Sequence, residues 1–214
     1  MKIEYVTFPA RADRTRYIAN RFGAYLRDSV LDVGCYEAPL RGLLAEASYT
    51  GVDMVGDPDI TLNLEQCERL PFDDSSFECV VCIEVLEHLD NLHMVFDELM
   101  RVGKHYVIVS LPNCWSDARC PIERGRGRFG HYGLPLDAPP DRHKWFFSFS
   151  EARQFLEAQA ERRGIRIAEI FGTEKPRNLL LRSLRRMLFA GDRYSNRYSQ
   201  NIWAVFELGN ACQA

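Results

Sequence analysis

Val30-Leu31-Asp32-Val33-Gly34-Cys35 reads as a short, β-branched, apolar strand that ends on a glycine. A run of this kind suits a buried parallel strand covered on both faces. A glycine at its carboxyl end permits a sharp turn and the close approach of a ligand. Upstream, Tyr17, Ile18, Phe22, Tyr25 and Leu26 share one face of a helix predicted over residues 11–27. Downstream, Pro39 near the start of a segment with Leu40, Leu43 and Leu44 predicts a helix after the strand. YTGVDMV and DITLNL supply the second and third strands, and FECVVCIEV the fourth. Leu92, Val95, Phe96, Leu99 and Met100 recur at helical spacing, with Asp90 as the N-cap and Gly103 as the terminator. HYVIVSLP is the fifth strand. Ser148-x-x-Glu151 is a capping-box signature for a helix through Phe155 and Leu156, and IRIAEIF and NIWAVFEL complete the strands. The alternation predicts an α/β fold: a doubly wound, mostly parallel seven-stranded sheet with helices on both faces.

At 214 residues the chain has the length of one domain, spanning 1–214, with a single sizeable core. Its net charge of -3 gives no global reason to expect nucleic acid as a partner. MKIEYVTFPARADR lacks the apolar centre of a signal peptide, and no stretch reaches the ~20 apolar residues of a membrane span, so a cytoplasmic location is expected. The cysteines stand at 35, 67, 79, 82, 114, 120 and 212. Cys79 and Cys82 form a CxxC, but residues three apart on a strand face opposite sides, so core thiols are expected and no metal.

Asp53 closes YTGVD, at the tip of the second strand. There a carboxylate can accept hydrogen bonds from both ribose hydroxyls of a nucleoside cofactor; the alternative is an acidic turn residue. A nicotinamide cofactor is disfavoured, because Gly34 is followed by Cys-Tyr-Glu-Ala-Pro rather than a G-x-G-x-x-G fingerprint. A sulfonium nucleoside has no phosphate to cradle. Its amino-acid end needs a glycine turn, a helix terminus and a nearby acid, which Asp32 supplies.

Leu70-Pro71-Phe72-Asp73-Asp74-Ser75-Ser76-Phe77, continuing through Glu84-Val85-Leu86-Glu87-His88-Leu89, resembles the LPF-D-SFD-V-EVLEH signature of the type 11 methyltransferase family. With VLDVGC and GVD, the resemblance covers residues 29–112 and implies a class I enzyme that uses S-adenosylmethionine (SAM) and releases S-adenosylhomocysteine. It further implies that Asp32 and Gly34, with Cys35 and Tyr36 in the same turn, contact the methionine portion. Asp53 would hold the ribose, and Met54, Asn63 and Leu64 would border the adenine. Cys82, Ile83 and Glu84 would line the floor beneath the sulfonium, and His88 would make a structural hydrogen bond, the alternative being a catalytic role. One departure stands out: the family's G-x-G-x-G turn has Tyr36 and Ala38 at its second and third glycines. Either Tyr36 swings outward, or the loop shifts, or cofactor binding weakens.

Two segments interrupt the alternation. Residues 113–147 form an insert after the fifth strand, where the acceptor pocket belongs in this fold class. Between Arg119 and Lys144 it carries six Lys/Arg against three Asp/Glu, interleaved with Tyr132 and Trp145. That mixture suits an anionic or sugar-like acceptor, the alternative being a solvated lid. His143 is the first candidate for a general base and His131 the second. Residues 175–198 contain a basic amphipathic helix, with Leu180, Leu181, Leu184, Met187 and Leu188 on one side. A covering helix with a solvated basic face is the favoured reading; peripheral membrane contact is the other. The expected function is methyl transfer to oxygen of a small-molecule, saccharide or lipid-linked acceptor. The alternatives are a nucleic-acid methyltransferase and a SAM-fold binding protein without turnover.

Overall fold

The computed structural model describes residues 1–137, 139 and 141–209. In chain order the elements are Lys2–Tyr5 (β1), Arg11–Phe22 (α1), Ser29–Val33 (β2), Ser48–Asp53 (β3), Ile60–Thr61 (β4), Phe77–Ile83 (β5), Leu92–Val102 (α2) and Gly103–Pro112 (β6). Cys114–Arg124 (α3), Phe149–Arg163 (α4), Arg166–Glu174 (β7), Leu179–Leu188 (α5), Asp192–Tyr198 (α6) and Ser199–Glu207 (β8) follow. The sheet runs β1-β7-β8-β6-β5-β2-β3-β4. Every neighbouring pair is parallel except those of β8, which is antiparallel to β6 and β7. The strand order reverses between β2 and β5, so a crevice opens at their carboxyl ends, the usual place for a ligand in such sheets.

The central strands are apolar on both sides because helices cover both faces. One face packs Val80, Cys82 and Phe206 against Phe96 and Leu99 of α2 and Phe149 and Leu156 of α4. The other packs Val30, Cys79, Val81 and Trp203 against Ile18 and Phe22 of α1, with Phe22 stacked on Trp203 at 5.6 Å. Cys79 and Cys82 thus belong to opposite layers, as strand alternation requires, and both are free thiols. The Ser148–Glu151 capping box closes as expected: Ser148 Oγ accepts from Glu151 N (3.2 Å), and Glu151 accepts from Ser148 N (2.7 Å).

Several expectations need correction. The sheet has eight strands, not seven: KIEY, whose charges hide its strand character, pairs with β7 at the edge. No α-helix follows β2. Only a 3-10 turn forms at Arg41–Leu43, because Ala38 is left-handed and Pro39 follows it directly. The third strand shrinks to Ile60–Thr61. Asn91, not Asp90, occupies the N-cap of α2; Asp90 instead pairs with Lys144 at 2.7 Å. The insert contains a helix, α3, with Pro121 inside it, which the segment's Gly- and Pro-rich composition does not announce. The covering-helix expectation for 175–198 also fails: Leu179, Leu180, Leu184, Met187 and Leu188 all face solvent. Cys212 lies outside the described residues.

Candidate active site

The turn after β2 repeats one backbone conformation at alternate positions. Gly34, Tyr36 and Ala38 have φ of 84°, 52° and 48°. Tyrosine and alanine therefore adopt the left-handed geometry glycine favours, at a cost of about 1 kcal/mol each. Gly34 has a second constraint: a Cβ there would lie 2.2 Å from Val85 Cγ2. Gly34 N and Cys35 N donate to Val52 O at 2.8 and 3.2 Å, pinning the turn to β3. Tyr36 N donates to Asp53 Oδ2 (2.8 Å), and Tyr36 O accepts from Asp57 N (2.8 Å). The Tyr36 ring points outward, 37% exposed, with the Arg11 guanidinium 4.4 Å from its centre. Of the three outcomes left open by the sequence, the outward swing is the one observed.

Asp53 is fixed by the main chain around it. Besides Tyr36 N, it accepts from Met54 N (2.6 Å) and Val55 N (3.1 Å), which leaves its carboxylate about one further acceptor position. Met54 is exposed beside it, and Asn63 is half-buried with Oδ1 accepting from Glu65 N. Leu64 is buried, so it backs this edge rather than opening onto it. Asp32 is also buried, with the Tyr49 hydroxyl donating to it at 2.9 Å. Burial pushes its carboxyl up to about 6 despite that bond, and the Asp53 charge adds to the effect. A cavity of about 50 Å³ lies against Asp32, Gly34 and Ile83, roofed by Arg11 and Arg14.

The fourth strand departs from expectation at one residue. Cys82 is fully buried on the α2 side and cannot line the floor, because its side chain points into the core. Ile83 and Glu84 do reach the edge. Glu84 has φ of 53°, pairs with Arg14 and accepts from Asn201 Nδ2 at 2.9 Å.

A larger cavity of about 690 Å³ covers the carboxyl ends of β5 and β6, and Asn201 of β8 reaches its wall. Glu87, His88, His131 and His143 share one wall. Glu87 is 1% exposed, and burial pushes its carboxyl up to about 8, opposed by the charge of Arg14. His143 Nδ1 lies 2.7 Å from the Tyr132 hydroxyl. Burial, then the neighbouring His88 and His131, push the His143 ring down to about 3, so it is neutral near pH 7. His131 stacks parallel on His143 at 4.2 Å, with Nδ1 3.5 Å from Asp141. His88 Nδ1 lies 2.9 Å from Asp141 and 3.2 Å from Arg142 O, and burial lowers its basicity.

The insert divides between the two expectations held for it. Arg124, Arg126, Arg128 and Arg142 face water, while His131, Tyr132 and His143 fold inward. Asn113 ties the insert to the sheet, donating to Ser199 O at 2.7 Å. Trp145 Nε1 donates to Leu89 O (2.7 Å), and Lys144 pairs with Glu65 and Asp90. Lys175, Arg177, Arg185 and Arg197 add positive charge to the cavity from the second insert. The sequence reading assigned no role to Arg11, Arg14, Glu87, Asp141 or Asn201. Only Glu87, beside His88 in the quoted motif, carried a local signal.

A family model described as a methyltransferase domain matches residues 31–109, the segment holding the turn, Asp53 and the fourth strand. A SAM-dependent methyltransferase from Archaeoglobus fulgidus shares the fold with a TM-score of 0.60 at 17% identity, over 94% of this chain and 96% of that one. The small RNA methyltransferase HEN1 gives 0.62 at 18%, over 99% of this chain and 27% of its own. Magnesium protoporphyrin IX methyltransferase from Synechocystis PCC 6803, crystallised with S-adenosylhomocysteine, gives 0.55 at 18%, over 91% and 82%. At these identities the likeness is one of fold. No curated protein sequence matches the chain. The fold is that of SAM-dependent methyltransferases, and residues 31–109, 79 of the 214, match the methyltransferase-domain model.

Proposed function

We propose that this enzyme methylates a hydroxyl oxygen of an anionic saccharide- or lipid-linked acceptor, met at a membrane surface from the cytoplasmic side. The observation that carries this reading is α5. Leu180 is 84% and Met187 77% exposed, while Arg182, Arg185 and Arg186 stand on the same ten-residue helix. Among the described residues no helix is long and apolar enough to cross a membrane, so α5 suits an interfacial position. Arginines near an anionic surface contribute about 1 kcal/mol each. Arg185 also lines the large cavity, so the docking helix and the acceptor site adjoin. Residues 1–214 act in this reading as one domain, with 113–147 and 175–198 as its substrate-side inserts.

SAM supplies an activated methyl group on its sulfonium. Asp32, a buried carboxylate with a neutral phenol partner and a cavity beside it, fits the cofactor's ammonium. The turn Gly34-Cys35-Tyr36 is assigned to the methionine portion, with Tyr36 acting through its backbone. Asp53 holds the ribose through the acceptor position it has left, Met54 and Asn63 border the adenine with Leu64 behind, and Ile83 and Glu84 form the floor. On the acceptor side His131 takes the hydroxyl proton, with the Asp141 carboxylate 3.5 Å from its Nδ1. His143, stacked on His131, flanks the same hydroxyl. Alignment of donor and acceptor provides most of the acceleration.

Flotation with liposomes tests the surface claim. The protein should float with vesicles containing anionic lipid and not with neutral ones, and Leu180→Ser with Leu184→Ser should abolish it; failure to float with either removes the membrane. A second reading has one observation in its favour: the cationic cavity would also suit RNA, on which HEN1 acts. Against an exocyclic amine of a base as the target, IEVLEH stands where an N/D-P-P-Y/F tetrapeptide would follow the fourth strand. Steeply salt-dependent RNA binding would promote it.

A further inference from the structure

In the wall of the large cavity, three side chains turn unengaged lone pairs toward one another. Glu87 is buried, and its Oε2 has no hydrogen-bond partner. A buried carboxyl oxygen left unpaired is costly, and its persistence asks for a partner. His88 meets two acceptors, Asp141 and Arg142 O, through Nδ1, so that nitrogen carries the proton. Its Nε2 is left with a lone pair, 3.9 Å from Glu87 Oε1. His143 Nδ1 is 2.7 Å from the Tyr132 hydroxyl, which also reaches Cys114 Sγ at 2.7 Å and Trp145 O at 3.0 Å; with Nδ1 engaged there, Nε2 is the nitrogen left for a ligand. One ligand atom each from Glu87, His88 and His143 lies within 4.8 Å of the other two.

We infer that Glu87, His88 and His143 form a binding site for a divalent first-row transition metal such as Zn²⁺ or Mn²⁺. Two imidazoles and a carboxylate are the donor set such ions take, and three protein ligands leave a coordination position open. The outer contacts also fit, since metal-binding histidines commonly pass their second N–H to a carboxylate or carbonyl, as His88 does to Asp141 and Arg142 O, while His143 Nδ1 is held by the Tyr132 hydroxyl. Bond lengths of about 2.1 Å require the three donors to draw in by roughly 1 Å, within reach of small side-chain rotations. All three residues line the large cavity, so the open position faces the acceptor side. Its use there, to hold an acceptor oxygen, rests on the proposed methyl transfer. The site itself does not.

The test is direct. Chelator-treated protein is titrated with Co²⁺, Zn²⁺ and Mn²⁺, and binding is read by elemental stoichiometry and by the visible absorption of Co²⁺, with no acceptor present. Wild type should bind one equivalent with the spectrum of mixed nitrogen and oxygen ligands. Glu87→Gln should lose it, and Asp141→Asn, which acts through His88, should weaken it by about tenfold. S-adenosylhomocysteine binding should be unchanged in both variants; that readout separates loss of the metal from loss of the methyltransferase site. Should Glu87→Gln fail to fold, His143→Gln replaces it. Wild type that takes up no stoichiometric metal, or a folded Glu87→Gln that binds as wild type does, overturns the inference.

Discussion

The two ends of the sheet's carboxyl edge are shaped by different parts of the chain. At β2 and β3 the main chain dominates: three left-handed residues, two amides on Val52 O and three amides on Asp53. At β5, β6 and β8 side chains dominate: Glu84 with Arg14 and Asn201, Glu87 beside three imidazoles, and arginines from both inserts. A ligand shared by a whole class of enzymes can be held by backbone geometry that tolerates sequence change. A ligand that differs between members needs side chains, which is where this chain's individuality lies.

The contrast can be broken from either side. Gly34→Val should have the largest effect, since it puts a side chain into Val85 at a φ of 84°. Calorimetry should find no SAM binding, and the melt a destabilisation of about 3 kcal/mol. His131→Ala should lower turnover about 100-fold while leaving SAM affinity unchanged, because general-base losses begin at that size. Asp53→Ala, which strands three amides, should weaken SAM by about 2 kcal/mol, some 30-fold.

A pH titration sharpens the comparison. Asp32 must be ionised to pair with an ammonium, and its carboxyl sits up near 6, so SAM affinity should fall about tenfold between pH 7 and 5. Asp32→Asn should flatten that profile. The sign for stability is opposite: the folded chain holds this proton more tightly than the unfolded one, so the ligand-free protein gains stability from Asp32 as pH falls from about 6 to 4. The smallest effect belongs to Tyr36→Gly. Relief of the left-handed tyrosine and loss of the Arg11 stack should nearly cancel, leaving the melting free energy within about 1 kcal/mol of wild type.

The cofactor end was legible because its signals are local. Val30–Val33 and Phe77–Ile83 announce buried strands by composition, and Gly34 and Asp53 sit where those strands must stop. The acceptor end was legible only as a list of residue types. His88 and Asp141 meet across more than fifty residues, and no pattern near either one specifies the other. Apolar spacing in α1 identified its buried face but drew attention away from Arg11 and Arg14, which project over the crevice. For α5 the same spacing misled. Helical periodicity reports an apolar stripe, not whether anything covers it, and here nothing among the described residues does.

The paired cysteines of β5 offer a built-in stopwatch. Cys79 and Cys82 are inaccessible from either side of the central layer, and burial pushes both thiols up, so an alkylating reagent must wait until neighbouring strands part. Cys67 and Cys120 are partly exposed and serve as native-state references. The lag between the two pairs in a labelling time course would measure how often the heart of the molecule opens, with no probe introduced.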